Sequence, residues 1–426
     1  MVKRLTHIAR QRGHVTTERD FKKLGMSKDV LTRTNIRTID ELNKHIPNMV
    51  IVESKYNNTF GLGNSDRAQM YKKGNSYVMP LYMYNSMVTQ AKTEKPAFKP
   101  AKVKFSNVYR KYNGHNLDNK TLLIWRTGGI GDLLFIKPNI DFLKKRYPTC
   151  KIIFGTSPEY QCMIKDWECI DQIIDIPFPV TMLYKCDYHI TFEGVIERTE
   201  QAKTDNAYIL FSKWMGLNLY PTALSPVQTP NVELTRYVRE IFENDFNIIE
   251  GTKTCLMQLR ASSPIRTPHY KFWKQIMGIL VNELGYRIII TDLPKYQMPM
   301  EHVIKKEFSN CNPNMFHVFC KYSKNISYTI ALASFCDLCV GTDSSLIHIA
   351  ESVGTKNFGF FGPFPGEIRS STYKHGDFIN CDNIICAPCF KHGHAPCPNS
   401  FQQTANCYNS MDFSLFSEKI KALIER

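Results

Sequence analysis

The stretch from Thr121 to Pro138, TLLIWRTGGIGDLLFIKP, constrains the fold of this chain more than any other. Its apolar run Leu122 to Trp125 has the length of a buried strand. The run leads into a turn with three glycines: Gly128, Gly129 and Gly131. Glycines let a ligand approach the backbone closely, and the free N–H groups of the helix that follows favour an anion. Asp132 lies at the mouth of the turn, where its carboxylate can accept a proton.

Strand and helix patterns alternate after this turn. Strands are predicted at 151–155, 171–176 and 187–192, and helices at 138–147 and 202–215, which is typical of an α/β layer with a largely parallel sheet. The alternation lapses in a Pro- and Thr-rich loop and restarts at Thr254. The sequence therefore predicts an α/β protein with two successive doubly wound, Rossmann-like halves.

The rest of the chain divides by composition. We predict these segments: a basic helical segment at 1–46, a small β-containing module at 47–90, a Lys/Pro linker at 91–120, an N-terminal Rossmann-like domain at 121–230, an interdomain helix at 231–250, and a C-terminal Rossmann-like domain at 251–426. No apolar run reaches the length of a membrane span, and the N-terminus lacks the apolar core of a secretory signal. We therefore expect a cytoplasmic protein.

The positive charge of the chain is unevenly placed. Residues 1–120 hold 23 Lys and Arg against 9 Asp and Glu, so nearly all of the net charge of +15 belongs to them. Such asymmetry suggests DNA or another polyanion as a partner for residues 1–120. A solvated basic arm explains it equally well.

Two further motifs follow predicted strands of the C-terminal half. The first reads QLRASSPIR, with Ser262, Ser263 and Arg266 after the strand at 254–259. Arginine is suited to bidentate contacts with phosphate. The second reads GTDSSLIHIA, and its residues of interest are Asp343, Ser344, Ser345 and His348. Asp343 and Ser344 fit a helix cap, and the N–H groups beyond them would face an anion such as a diphosphate.

Together these motifs, with Gly354 and the Phe360-Phe361-Gly362-Pro363 tail, resemble the lipopolysaccharide heptosyltransferase family over residues 120–426. The resemblance implies the glycosyltransferase-B fold, with two Rossmann-like domains facing a cleft. It implies an acceptor domain first, a nucleotide-sugar domain second, and catalysis that needs no metal. The basic N-terminal extension lies outside the resemblance.

The resemblance also implies roles for individual residues. Asp132 would be the general base, on the acceptor-side loop formed by Gly128, Gly129 and Gly131. Arg266, where the family usually has lysine, would contact the donor diphosphate. Asp343 would contact the donor sugar, and Ser344, Ser345 and His348 would line its phosphates. Ser344 stands where the family usually has glycine.

A cysteine cluster occupies residues 381–407. Cys386, Cys389, Cys397 and Cys407 have the spacing of a structural metal site, commonly zinc, near His392 and His394. The cluster is similar to a cysteine-rich finger of the family, which holds iron in the autotransporter heptosyltransferases. Reduced thiols or disulfides are the alternative. The nine cysteines from Cys150 to Cys339 are most simply small buried residues.

The leading hypothesis is a glycosyltransferase that moves a sugar from a nucleotide-diphosphate sugar to an acceptor hydroxyl. The basic extension favours modified phage DNA as acceptor, in the host cytoplasm. A heptosyltransferase-like enzyme acting on lipopolysaccharide or protein is the alternative. A non-catalytic interaction protein with the same fold is a further alternative. A dinucleotide-dependent oxidoreductase fits poorly, because TGGIGD lacks the GxGxxG spacing.

Overall fold

The computed structural model describes residues 38, 48–61, 68–90, 97–308, 312–391, 397–400 and 404–426. The predicted helical segment at 1–46 therefore lies outside the described residues, except for Thr38. The chain divides into two compact units. Unit 1 contains the described residues up to Gly128 together with Asn139–Leu219, and unit 2 contains Gly129–Pro138 together with Tyr220–Arg426.

Unit 1 begins with a small antiparallel sheet and a hairpin. Its elements are β1 (Met49–Ser54), β2 (Asn58–Gly61), β3 (Ala68–Tyr71), β4 (Ser76–Pro80), α1 (Leu81–Gln90), β5 (Phe98–Pro100) and α2 (Phe105–Val108). β1 pairs with β4 and with β5, and β2 pairs with β3. The predicted β-containing module is thus present. The predicted linker is not a plain spacer, because it contains β5 and α2, and Phe98 is buried.

The parallel sheet of unit 1 follows. Its elements are β6 (Thr121–Trp125), α3 (Ile130–Arg146), β7 (Lys151–Thr156), α4 (Pro158–Ile164), β8 (Gln172–Asp175), β9 (Phe178–Pro179), α5 (Thr181–Lys185), β10 (Tyr188–Thr191), α6 (Val195–Arg198) and α7 (Ala207–Trp214). The strand order is β10-β6-β7-β8, all parallel. The helix predicted from residue 202 starts only at Ala207, because the Asn206 side chain accepts a hydrogen bond from Tyr208 N and caps it there.

α3 begins eight residues before the predicted start at Pro138. Leu133, Leu134 and Ile136 are fully buried, so apolar packing stabilises the two turns that precede the proline. The first nine residues of α3, from Ile130 to Pro138, belong to unit 2. The helix therefore continues through Pro138 at the cost of one backbone hydrogen bond.

The antiparallel module and the parallel sheet of unit 1 share one core. β9 pairs with β4, Val78 lying opposite Phe178. Met49, Ile51 and Phe105 join Trp125 and its neighbours in the same buried cluster. The ring of Phe105 contacts that of Trp125 edge-on, with 6.2 Å between centroids. The module is therefore built into unit 1 rather than appended to it.

Unit 2 contains a six-stranded parallel sheet. Its elements are α8 (Val232–Asn244), β11 (Thr254–Gln258), α9 (Tyr270–Gly278), β12 (Arg287–Ile290), α10 (Gln297–Glu307), β13 (Phe316–Val318), α11 (Ile326–Phe335), β14 (Leu338–Thr342), α12 (Ser345–Ser352), β15 (Lys356–Phe361), α13 (Glu367–Ser370), β16 (Gly376–Asn380) and α14 (Phe413–Glu425). The strand order is β13-β12-β11-β14-β15-β16. This order reverses between β11 and β14, as in a Rossmann fold. The prediction of two Rossmann-like, doubly wound sheets is confirmed.

Most cysteines of both sheets behave as small buried residues. Cys255, Cys336 and Cys339 are almost fully buried in unit 2, and Cys150 and Cys186 in unit 1. Burial raises the pKa of the Cys150 and Cys186 thiols to about 11. Within the described residues, no helix is both long and apolar enough to cross a membrane.

Replacing Phe105 by alanine tests whether residues near 105 belong to the core of unit 1. Phe105→Ala should lower the free energy of unfolding by about 3–5 kcal/mol, because it leaves a cavity against Trp125. Val103→Ala is the matched control: Val103 is 40% exposed, and its loss should cost less than about 0.5 kcal/mol. Urea unfolding followed by tryptophan fluorescence measures both. Equal effects of the two substitutions would contradict the shared core.

Candidate active site

The predicted donor-binding residues lie at the carboxyl edge of the six-stranded sheet. Gln258 ends β11 and pairs in register with Gly341 of β14, so the loops after these two strands are neighbours. Strand order reverses between these strands, and open α/β sheets bind ligands at that point. The loop after β11 carries Ser262, Ser263 and Arg266. The loop after β14 carries Asp343 and Ser344, and α12, which follows it, carries Ser345 and His348.

Arg266 joins the two loops. Its Nη1 donates to the carbonyl oxygen of Asp343 at 2.8 Å and to Oδ2 of Asp343 at 3.4 Å. Its Nη2 donates to Oγ of Ser262 at 3.1 Å, and its backbone N–H donates to the carbonyl of Ser263. Only 12% of the Arg266 side chain and 5% of the Asp343 side chain are exposed. The pair is therefore a buried, charge-assisted contact between the loops.

The start of α12 lacks the predicted side-chain cap. Ser344 occupies the N-cap position, but its side chain accepts no hydrogen bond from the first turn. Instead its Oγ donates to Oε1 of Gln258 at 3.1 Å, and Oγ of Ser345 lies 3.5 Å from the same oxygen. The N-terminus of α12 therefore keeps N–H groups that Ser344 does not cap. These groups and the helix dipole favour an anion.

His348 is a neutral, buried side chain. It is 4% exposed, and its Nδ1 forms a hydrogen bond with the hydroxyl of Tyr373. Burial lowers its pKa to about 4; the charges of Arg369 and Arg266 act in the same direction, and Asp343 opposes them. At neutral pH the ring can therefore form hydrogen bonds and pack at the predicted phosphate site, but it brings no positive charge there.

The glycine turn packs against protein side chains. A Cβ on Gly131 would lie 2.8 Å from Cδ2 of His348, and a Cβ on Gly129, whose φ is +88°, would clash with the carboxylate of Asp132. A Cβ on Gly128 would lie 2.8 Å from the ring of Tyr160. The glycines thus make room for these side chains, whereas we expected them to admit a ligand.

The first turns of α3 therefore lie beside α12. The rings of Phe135 and His348 meet edge-on, 5.0 Å apart, and Gly131 is in contact with the same imidazole. Both segments belong to unit 2. The structure thus places Asp132, the predicted base, one residue from a glycine that touches a predicted donor residue.

Unit 1 has a polar cluster of its own at the carboxyl ends of β6 and β10. Thr127 N donates to Oε1 of Glu193 at 2.5 Å, and Arg126 pairs with Glu197 at 2.5 Å. Burial raises the pKa of the Glu193 carboxyl, and Arg126 opposes the rise. The sequence analysis missed Glu193 and Glu197. The available signal was that Glu193 directly follows the strand predicted at 187–192.

Several residues of the unit 2 site were also missed. Gln258 accepts from the two serines, and Tyr373 and Phe135 fix the imidazole of His348. Arg369 lies close enough to lower the pKa of that imidazole. Gln258 ends a predicted strand, which was an available signal. Nothing in the local sequence distinguishes Tyr373 or Arg369 from surface residues.

The predicted metal site at the cysteine cluster is not supported. Across the described part of the chain, no three Cys, His, Asp or Glu side chains are grouped as metal ligands. Cys407 is a core residue instead: it packs against Gly362, and burial raises its thiol pKa to about 12, with Cys389 and Cys397 adding to the rise. Cys386, Cys389 and Cys397 are half-buried free thiols. His392 and His394 lie outside the described residues.

A cavity of about 380 Å³ lies at the other end of α12. It is lined by residues of the 222–228 segment, by Glu351 to Gly354, and by Lys374 and His375. The Glu351 carboxylate accepts hydrogen bonds from the Ser225 hydroxyl and from the backbone of Lys374. A helix C-terminus with a buried carboxylate disfavours an anion, so this cavity is not the diphosphate site.

Comparison with known structures shows which type of fold the chain has. The chain has the fold of a structure of the glycosyl transferase family 9 from Veillonella parvula, with 14% identity, a TM-score of 0.55, and coverage of 73% of this chain and 98% of that one. It is equally similar to the Escherichia coli ADP-heptose lipopolysaccharide heptosyltransferase II, with 12% identity, a TM-score of 0.54, and coverage of 72% and 98%. These likenesses establish the glycosyltransferase-B type of fold.

One segment of the chain also matches a family model in sequence. Residues 228–397 match the model of glycosyltransferase family 9 (heptosyltransferase), so the predicted resemblance to the heptosyltransferases is confirmed. The matched region includes every predicted donor-binding residue. No curated protein matches the chain significantly in sequence. Residues 228–397 are thus similar to glycosyltransferases of family 9.

The buried imidazole of His348 makes stability depend on pH. Its pKa is about 4 in the folded chain and about 6.5 when unfolded, so between these values the unfolded chain binds more protons. The free energy of unfolding should therefore rise with pH from 4 to 6.5, by up to about 3 kcal/mol for this residue, and then level off. Urea unfolding at several pH values measures the slope.

His348→Gln should make that slope shallower. If the free energy of unfolding of His348→Gln rises with pH as steeply as that of the unmodified chain, the pKa of His348 is not lowered in the folded state.

Proposed function

We propose that this protein transfers a sugar from a nucleotide-diphosphate sugar to an acceptor hydroxyl. The observation that carries the proposal is the edge between β11 and β14, where Arg266 and the N-terminus of α12 can face one diphosphate. The E. coli enzyme with this fold is named an ADP-heptose heptosyltransferase. Nucleoside diphosphate sugars are therefore the donor class to test first.

The donor side follows from charge. A departing nucleoside diphosphate gains negative charge, which preorganised N–H groups and cations stabilise. In this proposal Arg266 and the first turn of α12 supply that stabilisation, so catalysis needs no metal. Asp343, held by Arg266, contacts the sugar. The hydroxyls of Ser344 and Ser345 and the imidazole of His348 line the phosphates, and Ser262 and Ser263 position Arg266.

The acceptor side depends on Asp132. Its carboxylate lies over Gly129 in the first turn of α3, and it is half-buried. The contacts of Gly131 and Phe135 with His348 hold this turn beside the donor helix. A carboxylate so placed removes the proton of an acceptor hydroxyl as the hydroxyl oxygen attacks the sugar.

Asp132→Asn should lower kcat by about 10²- to 10⁴-fold, the range of a lost general base, because the amide cannot take the proton. A thermal-shift screen of nucleotide sugars first finds the donor, and mass spectrometry of candidate acceptors then measures transfer. The donor should still stabilise the variant. Asp141→Asn, on the same helix, is the control and should keep its rate. Full activity of Asp132→Asn would exclude this residue as the base.

The acceptor is proposed from charge alone. The excess of basic residues before residue 121 favours a polyanion, with modified phage DNA as the specific prediction. Among the described residues, Lys72 and Lys73 are exposed at the tip between β3 and β4. Deleting residues 1–105 is an unsuitable test, because Met49 to Phe105 contribute to the core of unit 1.

Lys72→Gln/Lys73→Gln should weaken binding to duplex DNA and reduce the slope of log affinity against log salt by about 2, because two phosphate contacts are lost. Lys305→Gln/Lys306→Gln, an exposed pair on α10, is the control and should change neither. Binding that is insensitive to salt, or equal in both variants, would direct the search to lipopolysaccharide or protein acceptors. Absence of transfer to any acceptor would favour a non-catalytic protein.

A further inference from the structure

Arg369 is a buried cation without an acidic partner. It lies on α13 and is 7% exposed. Its Nη1 is buried and donates no hydrogen bond, and no carboxylate among the described residues pairs with it. Its guanidinium lies 4.9 Å from the ring centre of Phe364. Burying an unpaired charge costs free energy, and the binding of an anion would offset that cost.

The position of Arg369 points to the same anion as Arg266. Arg369, on α13, follows β15, and Arg266 follows β11, so both lie in segments that leave the carboxyl edge of the six-stranded sheet. Both guanidinium charges act on the imidazole of His348. Arg266 also keeps a buried Nε–H without a partner after its contacts with Asp343 and Ser262.

The charges around His348 do not balance. Two guanidinium groups and one carboxylate, that of Asp343, act on this neutral imidazole. The carboxylate is already held by Arg266. Arg369 has no such partner among the described residues, so its positive charge is left over. A phosphate group supplies both the charge and the acceptor oxygens that the free N–H groups need.

We propose that Arg369 is a second cation for the donor diphosphate. The inference rests on the proposed function and adds a residue to it. In the transfer, the bond between the anomeric carbon and the diphosphate oxygen breaks, and the acceptor oxygen forms the new bond to that carbon. The acceptor proton goes to Asp132, and the diphosphate leaves with the electron pair. Arg369 and Arg266 offset the negative charge that the diphosphate gains.

Arg369→Met tests the inference in the full chain, with inorganic pyrophosphate as the probe. Methionine keeps the packing against Phe364 but removes the charge. We expect the Kd for pyrophosphate, measured by calorimetry, to rise about tenfold or more, the value of one charge-assisted hydrogen bond. The melting temperature without ligand should stay the same or rise, because an unpaired buried charge is gone. A purely structural arginine would lower it.

Arg239→Met is the matched control. Arg239 lies on α8 of the same unit, and its guanidinium also lies over a phenylalanine ring, that of Phe335, but it is exposed. Its loss should leave the Kd for pyrophosphate unchanged. Arg369→Lys keeps the charge without the planar fork, and we expect it to bind with an intermediate Kd. If Arg369→Met is poorly folded, Arg369→Gln, which is polar but uncharged, decides, and an unchanged Kd in that variant overturns the inference.

The outcomes separate this inference from the proposed function. If Arg369→Met binds pyrophosphate as tightly as the unmodified chain, while Arg266→Met does not, the inference is wrong and the proposed function stands. The same result would follow if Arg369 served a phosphate of the acceptor instead of the donor diphosphate. If the unmodified chain binds neither pyrophosphate nor any nucleotide sugar, the proposed function itself fails.

Discussion

The buried pair of Arg266 and Asp343 is the contact on which the candidate active site depends. It joins the loops after β11 and β14, the two strands between which the order of the sheet reverses. Removing one partner of such a pair leaves an uncompensated charge and costs roughly 3–5 kcal/mol. Because Arg266 also binds the backbone carbonyl of Asp343, it fixes the entry to α12. The geometry of that helix terminus is therefore set by an ion pair, with Ser344 free to bind Gln258.

The second constraint is the packing of the glycine turn, Gly128 to Gly131, against α12. Gly131 and Phe135 enclose the imidazole of His348, and Tyr373 holds its Nδ1. The turn that carries Asp132 is thereby a part of the same compact unit as the donor residues. In the proposed function, the base and the donor site are therefore positioned by residues of one unit. The sequence analysis had assigned the turn to the acceptor side alone.

The strands and the site motifs could be predicted because they depend on local patterns. Apolar runs such as Leu338 to Gly341 mark buried strands, and polar residues after them mark the ligand edge. The partners of these residues could not be predicted, because they are distant in sequence. Gly131 and His348 are more than 200 positions apart, and the start of α3 before Pro138 depends on tertiary burial. Spacing likewise suggested a ligand at Cys407, whereas packing against Gly362 makes it a core residue.

The shared core of unit 1 bears on how the basic module relates to the rest of the protein. Phe178, in the parallel half of unit 1, completes the antiparallel sheet that begins at Met49, and Phe105 covers Trp125. The antiparallel half has a buried cluster of its own around Tyr71 and Phe98, but its other face, with Met49 and Ile51, is buried only against the parallel half. The two halves should therefore melt as a single cooperative block. The module therefore cannot be lost by itself during evolution. Its loss would expose apolar residues of the parallel sheet, which would then have to be replaced by polar ones.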